Sequence, residues 1–231
     1  MKIKKLISAL VLGSMLVGLS GCNITDFSAE NLLRPPKAVG DEAEIEQLIA
    51  KTADSGYTLK YPKNGKFRSA IIMTDLDGND SNEAVAFFRN SAETSSVHML
   101  VMYSKDNSWE IASDNIFETT DIDSVDFADL TGNGKAEIIV NSTTYTPNVG
   151  KLSCYSYSEG KTNEVGSGQS CSSFVTGDFD NDGTSEIMSL VLYTTENEAL
   201  ASMLDYNEDS KSLYAKAMAN MDPNVVKYKN I

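Results

Sequence analysis

The groups in this sequence best suited to chemistry lie in three acidic segments. They are Asp75-Leu76-Asp77-Gly78-Asn79-Asp80-Ser81-Asn82-Glu83, Asp129-Leu130-Thr131-Gly132-Asn133-Gly134-Lys135-Ala136-Glu137 and Asp178-Phe179-Asp180-Asn181-Asp182-Gly183-Thr184-Ser185-Glu186. Each runs nine residues from an aspartate to a glutamate. Oxygen donors at alternate positions suit a hard cation, because Ca²⁺ takes six to eight oxygens at about 2.3–2.6 Å. Glycine at the sixth position lets the backbone turn with positive φ. The third segment fits best, with Asp178, Asp180, Asp182 and Glu186 as ligands and Gly183 at the turn. The first offers Asp75, Asp77, Asn79 and Glu83, with Asp80 in place of the glycine. Aspartate visits the left-handed region more readily than most residues. The second keeps Asp129, Asn133 and Glu137, but Thr131 stands where the others have an acid, so its attraction for a cation is weaker. A reading without metal stands beside this one: Asp and Asn side chains can hold a turn by bonding their own backbone. Calcium in these loops would stabilise the fold and take part in no reaction.

These loops need strands to hold them. Each is preceded by a short apolar or aromatic run and followed by an apolar one, and their starts lie 54 and 49 residues apart. A period near 50 points to a repeated array such as propeller blades. The interval has room for about four short strands, the content of one blade. Apolar runs at 70–73, 83–88, 97–103, 109–112, 138–140, 152–157, 187–193 and 199–206 are separated by turn residues, as strands are. The run 213–218 is alanine-rich and reads as strand or helix. Upstream, 41 to about 53 reads as a helix: Asp41 and Glu44 are spaced like a capping box, and Ile45, Leu48 and Ile49 share a face. The fold expected is all-β, with three propeller-blade-like four-stranded repeats at about 68–122, 123–171 and 172–220. This partial or open β-propeller occupies 57–231 and is preceded by a short N-terminal helix packed on it at 41–56. Closed propellers have four to eight blades, so three motifs predict an open fan or a shortened member of a longer family.

The pattern Asp-x-Asp-x-Asp/Asn-Gly-x-x-acid before an apolar strand resembles FG-GAP and VCBS-type repeats, and more narrowly the clostridial lipoproteins that carry them. The resemblance covers about residues 57–231 and implies a β-propeller-like fold with, in many members, calcium in the loops. The N-terminus adds a second resemblance. Lys2, Lys4 and Lys5 precede an uncharged apolar run to about Leu19, the order of a secretory signal peptide. Leu19-Ser20-Gly21-Cys22 then resembles the lipobox of bacterial lipoproteins. It implies cleavage after residue 21 and acylation of Cys22, which anchors the chain to the outer side of the cell membrane. Residues 22–40, with Pro35-Pro36, read as a tether.

Removing the first 21 residues leaves 16 basic against 33 acidic residues, a net charge of −17. That balance argues against nucleic acid as a partner. Beyond Cys22 there are two cysteines, Cys154 and Cys171; an exported chain can bridge them or leave them as buried thiols. The sequon-like Asn23-Ile24-Thr25 and Asn141-Ser142-Thr143 read as chance. There is one histidine, His98, in a strand-like run, and neither Gly-x-Ser-x-Gly nor a phosphate loop outside the signal peptide. The expectation is therefore a lipid-anchored extracytoplasmic binding module rather than an enzyme, with a protein or glycan ligand. The alternatives are an envelope carbohydrate-active enzyme or carbohydrate-binding protein, and a purely structural envelope lipoprotein.

Overall fold

Runs in which successive side chains point to opposite faces can bury both faces only between layers, and this chain builds such layers. The computed structural model describes residues 40–54, 56–193 and 197–221. The signal peptide, Cys22, most of the tether and the residues after 221 lie outside the described residues. Those described belong to one unit, Val39–Ile231. Its elements are α1 (Asp41–Ala53), β1 (Tyr57–Leu59), β2 (Ile71–Thr74), β3 (Glu83–Asn90), β4 (Val97–Lys105), β5 (Ser108–Phe117), β6 (Ile122–Ala128), β7 (Glu137–Thr143), β8 (Gly150–Ser158), β9 (Lys161–Cys171), β10 (Ser173–Gly177), β11 (Glu186–Tyr193), β12 (Glu198–Asn207) and β13 (Ser212–Met221).

Among the described residues the strands form three antiparallel sheets. The second runs β6-β7-β8-β9 and the third β10-β11-β12-β13, each an up-and-down meander. The first has the same plan, except that β1 and β2 share one edge of β3: β2 pairs along 83–86 and β1 along 88–90. The acidic loops occupy the same place in each sheet. They join its first long strand to its second, and the closing glutamate is the first residue of β3, β7 or β11.

The residues after each glutamate show how the layers stack. Ala84 faces α1, in a core with Ile45, Ile49, Phe88, Leu100, Met102 and Trp109. Its neighbour Val85 faces the second sheet, in a core with Phe87, Val101, Ile138 and Val140. Ile139 points the other way and meets Ile187 of the third sheet, with Leu152, Cys154 and Leu204. Helix α1 thus closes the outer face of the first sheet. On the third sheet Met188 stands where Val85 and Ile139 are buried, yet it is only half-buried, and Val175 beside it is 56% exposed. Full burial of a side chain such as Phe87 is worth about 2–3 kcal/mol, so these three apolar layers carry much of the stability.

One expectation is corrected and several open readings are resolved. The helix has Gly40 at its N-cap with φ 63° and no side-chain cap, so Asp41 and Glu44 form no capping box. Asp41, Glu42 and Glu44 still place negative charge in the first turn, where the helix dipole favours it. The alanine-rich run is strand β13, because it pairs with β12 along most of its length. Strand β9 carries almost no apolar signal, since it is an edge strand with few buried side chains. Asn141 is buried inside a sheet, which rules it out as a glycosylation acceptor. Cys154 and Cys171 are free, buried thiols rather than a bridge. On paired strands Cys154 lies opposite Gly166 and Cys171 opposite Gly150. The offset of four residues, roughly 13 Å at the usual rise, far exceeds disulfide reach. Burial pushes the Cys171 thiol up to about 12 and Cys154 higher still.

Candidate metal centre

The nine-residue loops owe their shape to carboxylates that collect backbone N–H groups. In the first loop Asp75 accepts from Gly78 (2.8 Å), Asn79 (3.3 Å) and Asp80 (2.9 Å). Asp129 does the same for Gly132 (2.7 Å), Asn133 (3.1 Å) and Gly134 (2.8 Å). In the third loop Asp178 accepts from Asp182 and Gly183. The fifth residue folds back on the seventh: Asn79 accepts from Ser81, Asn133 from Lys135 and Asp182 from Thr184. The closing glutamate accepts the second residue's N–H at 2.8 Å in every loop, Leu76 to Glu83, Leu130 to Glu137 and Phe179 to Glu186. The sixth residue has positive φ throughout, at Asp80 (65°), Gly134 (81°) and Gly183 (95°). So does the fourth, at Gly78, Gly132 and Asn181, a constraint the sequence reading did not identify.

The turn-holding bonds leave different remainders in the three loops. In the third, single oxygens of Asp178, Asp180, Asp182 and Glu186 lie within 4.8 Å of one another. Glu186 is completely buried and its Oε1 has no hydrogen-bond partner. In the first loop Asp75, Asp77 and Glu83 cluster in the same way, and the buried Oδ1 of Asp77 is unpartnered. An all-oxygen, carboxylate-rich set fits a hard cation such as Ca²⁺. The second loop differs at one residue. Thr131 donates its hydroxyl to Glu137 Oε1 at 3.2 Å, the oxygen left bare in Glu186. Thr131 also donates its N–H to Oε2, so the buried Glu137 is satisfied without an ion. Asp129 and Asn133 are engaged by backbone donors in the same loop. Asp129, Asn133 and Glu137 thus have donors within their own loop, whereas the first and third loops hold the acidic clusters that could take a cation.

Burial and the loops' own donors act on these carboxylates in opposite directions. Burial pushes Glu83 above the usual glutamate range; the Leu76 N–H opposes that, and Asp77 and Asp75 add to it. Burial likewise raises Glu137, against the Leu130 N–H and the Thr131 hydroxyl. For Asp75 burial also pushes upward, but the donors of Asp80, Gly78 and Asn79 together hold it below the usual range. At the third loop Lys216 of β13 reaches Asp180 and, at 2.8 Å, Asp205. Those two carboxylates hold its ammonium above the ordinary lysine range. Among the described residues Lys216 is the cation paired with this loop, and sequence spacing gave no sign of it.

The loops form a row. Ala136 N–H donates to Leu76 O at 3.0 Å, and Ser185 N–H donates to Asp129 O at 2.8 Å. Leu76 and Leu130 are buried, whereas Phe179 at the same loop position is 42% exposed at the end of the row. His98 lies elsewhere, on β4, stacked on Phe88 with Nδ1 2.9 Å from Asp114, a strand-face histidine. No family model matches the chain, and no curated protein sequence matches it either.

Proposed function

We propose that this chain is a lipid-anchored extracytoplasmic binding module, an open propeller-like array whose first and third repeat loops are stabilised by calcium. The observation that carries the metal reading is Glu186, a fully buried carboxylate with one bare oxygen inside a cluster of three aspartates. A buried charge is stable only when paired or bound to a metal. Calcium, when bound, supplies a positive charge beside the buried Glu186, which has no cation partner among the described residues. Asp178, Asp180, Asp182 and Glu186 would hold it in the third loop, and Asp75, Asp77 and Glu83 in the first. The propeller-like reading is supported by three meanders in register with the loops, and by the second sheet buried on both faces. The anchor rests on the lipobox resemblance at Cys22.

In this reading the chain binds a ligand and catalyses nothing, and the ion tightens the row of loops at one end of the sheets. Two experiments test the proposal. Membrane fractionation of cells carrying Cys22→Ser should move the protein from the membrane to the soluble fraction; unchanged sedimentation would remove the lipid anchor. Thermal melting in excess chelator and in millimolar calcium should differ by several degrees, and coincident curves would remove the metal.

A further inference from the structure

The segment Lys60-Tyr61-Pro62-Lys63-Asn64-Gly65-Lys66-Phe67-Arg68 holds four basic residues and no acid, in a chain with 33 acidic residues. It links β1 to β2 but crosses onto the second sheet. Lys63 N–H donates to Ile122 O (3.2 Å), and Asn64 N–H to Asp123 O (2.7 Å). Asn64 Nδ2 also donates to Asp123 Oδ1, and Phe67 packs edge-on against Phe127 at 4.9 Å. Asp121 holds Lys60 and Lys63. Lys66 and Arg68 have no carboxylate partner among the described residues.

Both residues line a groove of about 1250 Å³ between this segment and the second and third sheets. It lies at the strand ends remote from the acidic loops, bounded by the last residues of β7 and the first of β10. Hydroxyl and amide side chains, including Ser124, Thr143, Thr144 and Ser173, make up about half of its lining; Phe174, Val175 and Leu192 add apolar surface, and Asp123 and Glu198 are acidic. Asn141 also lines it. That residue is 1% exposed, its Nδ2 is spent on Asp123, and its Oδ1 has no partner. Gly150 leaves room for that oxygen, since a Cβ there would lie 2.2 Å from it. On the wall loop, between Thr144 and Thr146, Tyr145 is 97% exposed.

We propose that this groove binds an anionic glycan, a claim that rests on reading the chain as a binding module. Acidic groups of the sugar chain meet Lys66 and Arg68, ring hydroxyls meet the threonine and serine lining, and a sugar face stacks on Tyr145. Hydroxyl groups of the ligand can pair with the polar half of this lining, and Lys66 and Arg68 favour a ligand that also carries acidic groups. The net negative charge of the chain repels polyanions at long range, but close to the groove an acidic glycan meets the local cations within a Debye length of about 8 Å.

The test measures binding of the full chain to polygalacturonate, to a phosphomannan, to neutral dextran and to inorganic polyphosphate. We expect saturable binding of polygalacturonate or the phosphomannan; whichever binds identifies the acidic group as carboxylate or phosphate. Lys66→Ala with Arg68→Ala should weaken it about 10-fold or more, and Tyr145→Ala about 3-fold or more. All three side chains are exposed, so the melting temperature should stay unchanged. Failure of both acidic glycans to bind, equal binding of dextran, or equal binding of polyphosphate insensitive to Tyr145→Ala would overturn the proposal. So would retention of full affinity in the double variant. Calcium response and membrane fractionation do not depend on these residues, so such a failure leaves the module reading standing.

Discussion

Glu186→Gln should change stability in opposite directions with and without calcium. Glutamine has the same shape, and its carbonyl can accept the Phe179 N–H that Glu186 Oε2 now accepts at 2.8 Å. The amide then takes the place of the bare, buried Oε1. In excess chelator the variant loses an uncompensated buried charge beside Asp178, Asp180 and Asp182. The gain should be about 1–3 kcal/mol, the cost of leaving such a group unsatisfied. With calcium the comparison reverses. At a dissociation constant on the order of 10⁻⁴ M and about 10 mM calcium, a site adds about 2.7 kcal/mol. A domain this size shifts by about 2–4 °C per kcal/mol, so the wild type should gain about 5–11 °C from the third loop. The variant should lose most of that gain. Calorimetric or circular-dichroism melts of both proteins, in chelator and in calcium, give the four numbers required. A variant less stable than wild type in chelator, yet equally responsive to calcium, would refute the reasoning.

Lys216→Ala removes a cation held on Asp180, so calcium should bind the third loop roughly 3- to 10-fold more tightly, as a calcium titration would read. An unchanged affinity would mean that Asp180 is not a ligand. Asp121→Asn releases Lys60 and Lys63, and with them the basic segment, at a cost of about 1 kcal/mol at pH 7 after solvent screening. Burial pushes Asp121 up, but the two lysines outweigh it and hold its folded pKa below the ordinary value. Its contribution is therefore present above about pH 3.9 and lost as pH falls through the depressed value. The gap in melting temperature between wild type and variant should close on acidification and should not persist once Asp121 is protonated.

The loops were legible because their chemistry is local. Nine residues from aspartate to glutamate fix both ends of a turn that the backbone closes on itself, and Asp80 takes the left-handed conformation its position demands. The order of the sheets follows from the same spacing, since each loop joins one strand to the next. What escaped the sequence depends on partners distant along the chain. Thr131 was visible only as a missing acid, and it is the donor that satisfies Glu137. Lys216 lies 36 residues from Asp180 and reaches it only because β13 folds back along β12. Strand β9 has too few buried side chains to announce itself, and the disulfide failed on register rather than on chemistry. The basic segment 60–68 was visible as composition, but its meaning came from its docking on β6.

The most direct test is to count the calcium ions bound by the full chain in detergent, by calorimetric titration after exhaustive chelation. Two sites should appear, one lost in Glu186→Gln and the other in Glu83→Gln, with the second loop silent. No heat of binding, or a third site abolished by Glu137→Gln, would contradict the assignment of metal to the loops whose buried carboxylates stand unpartnered.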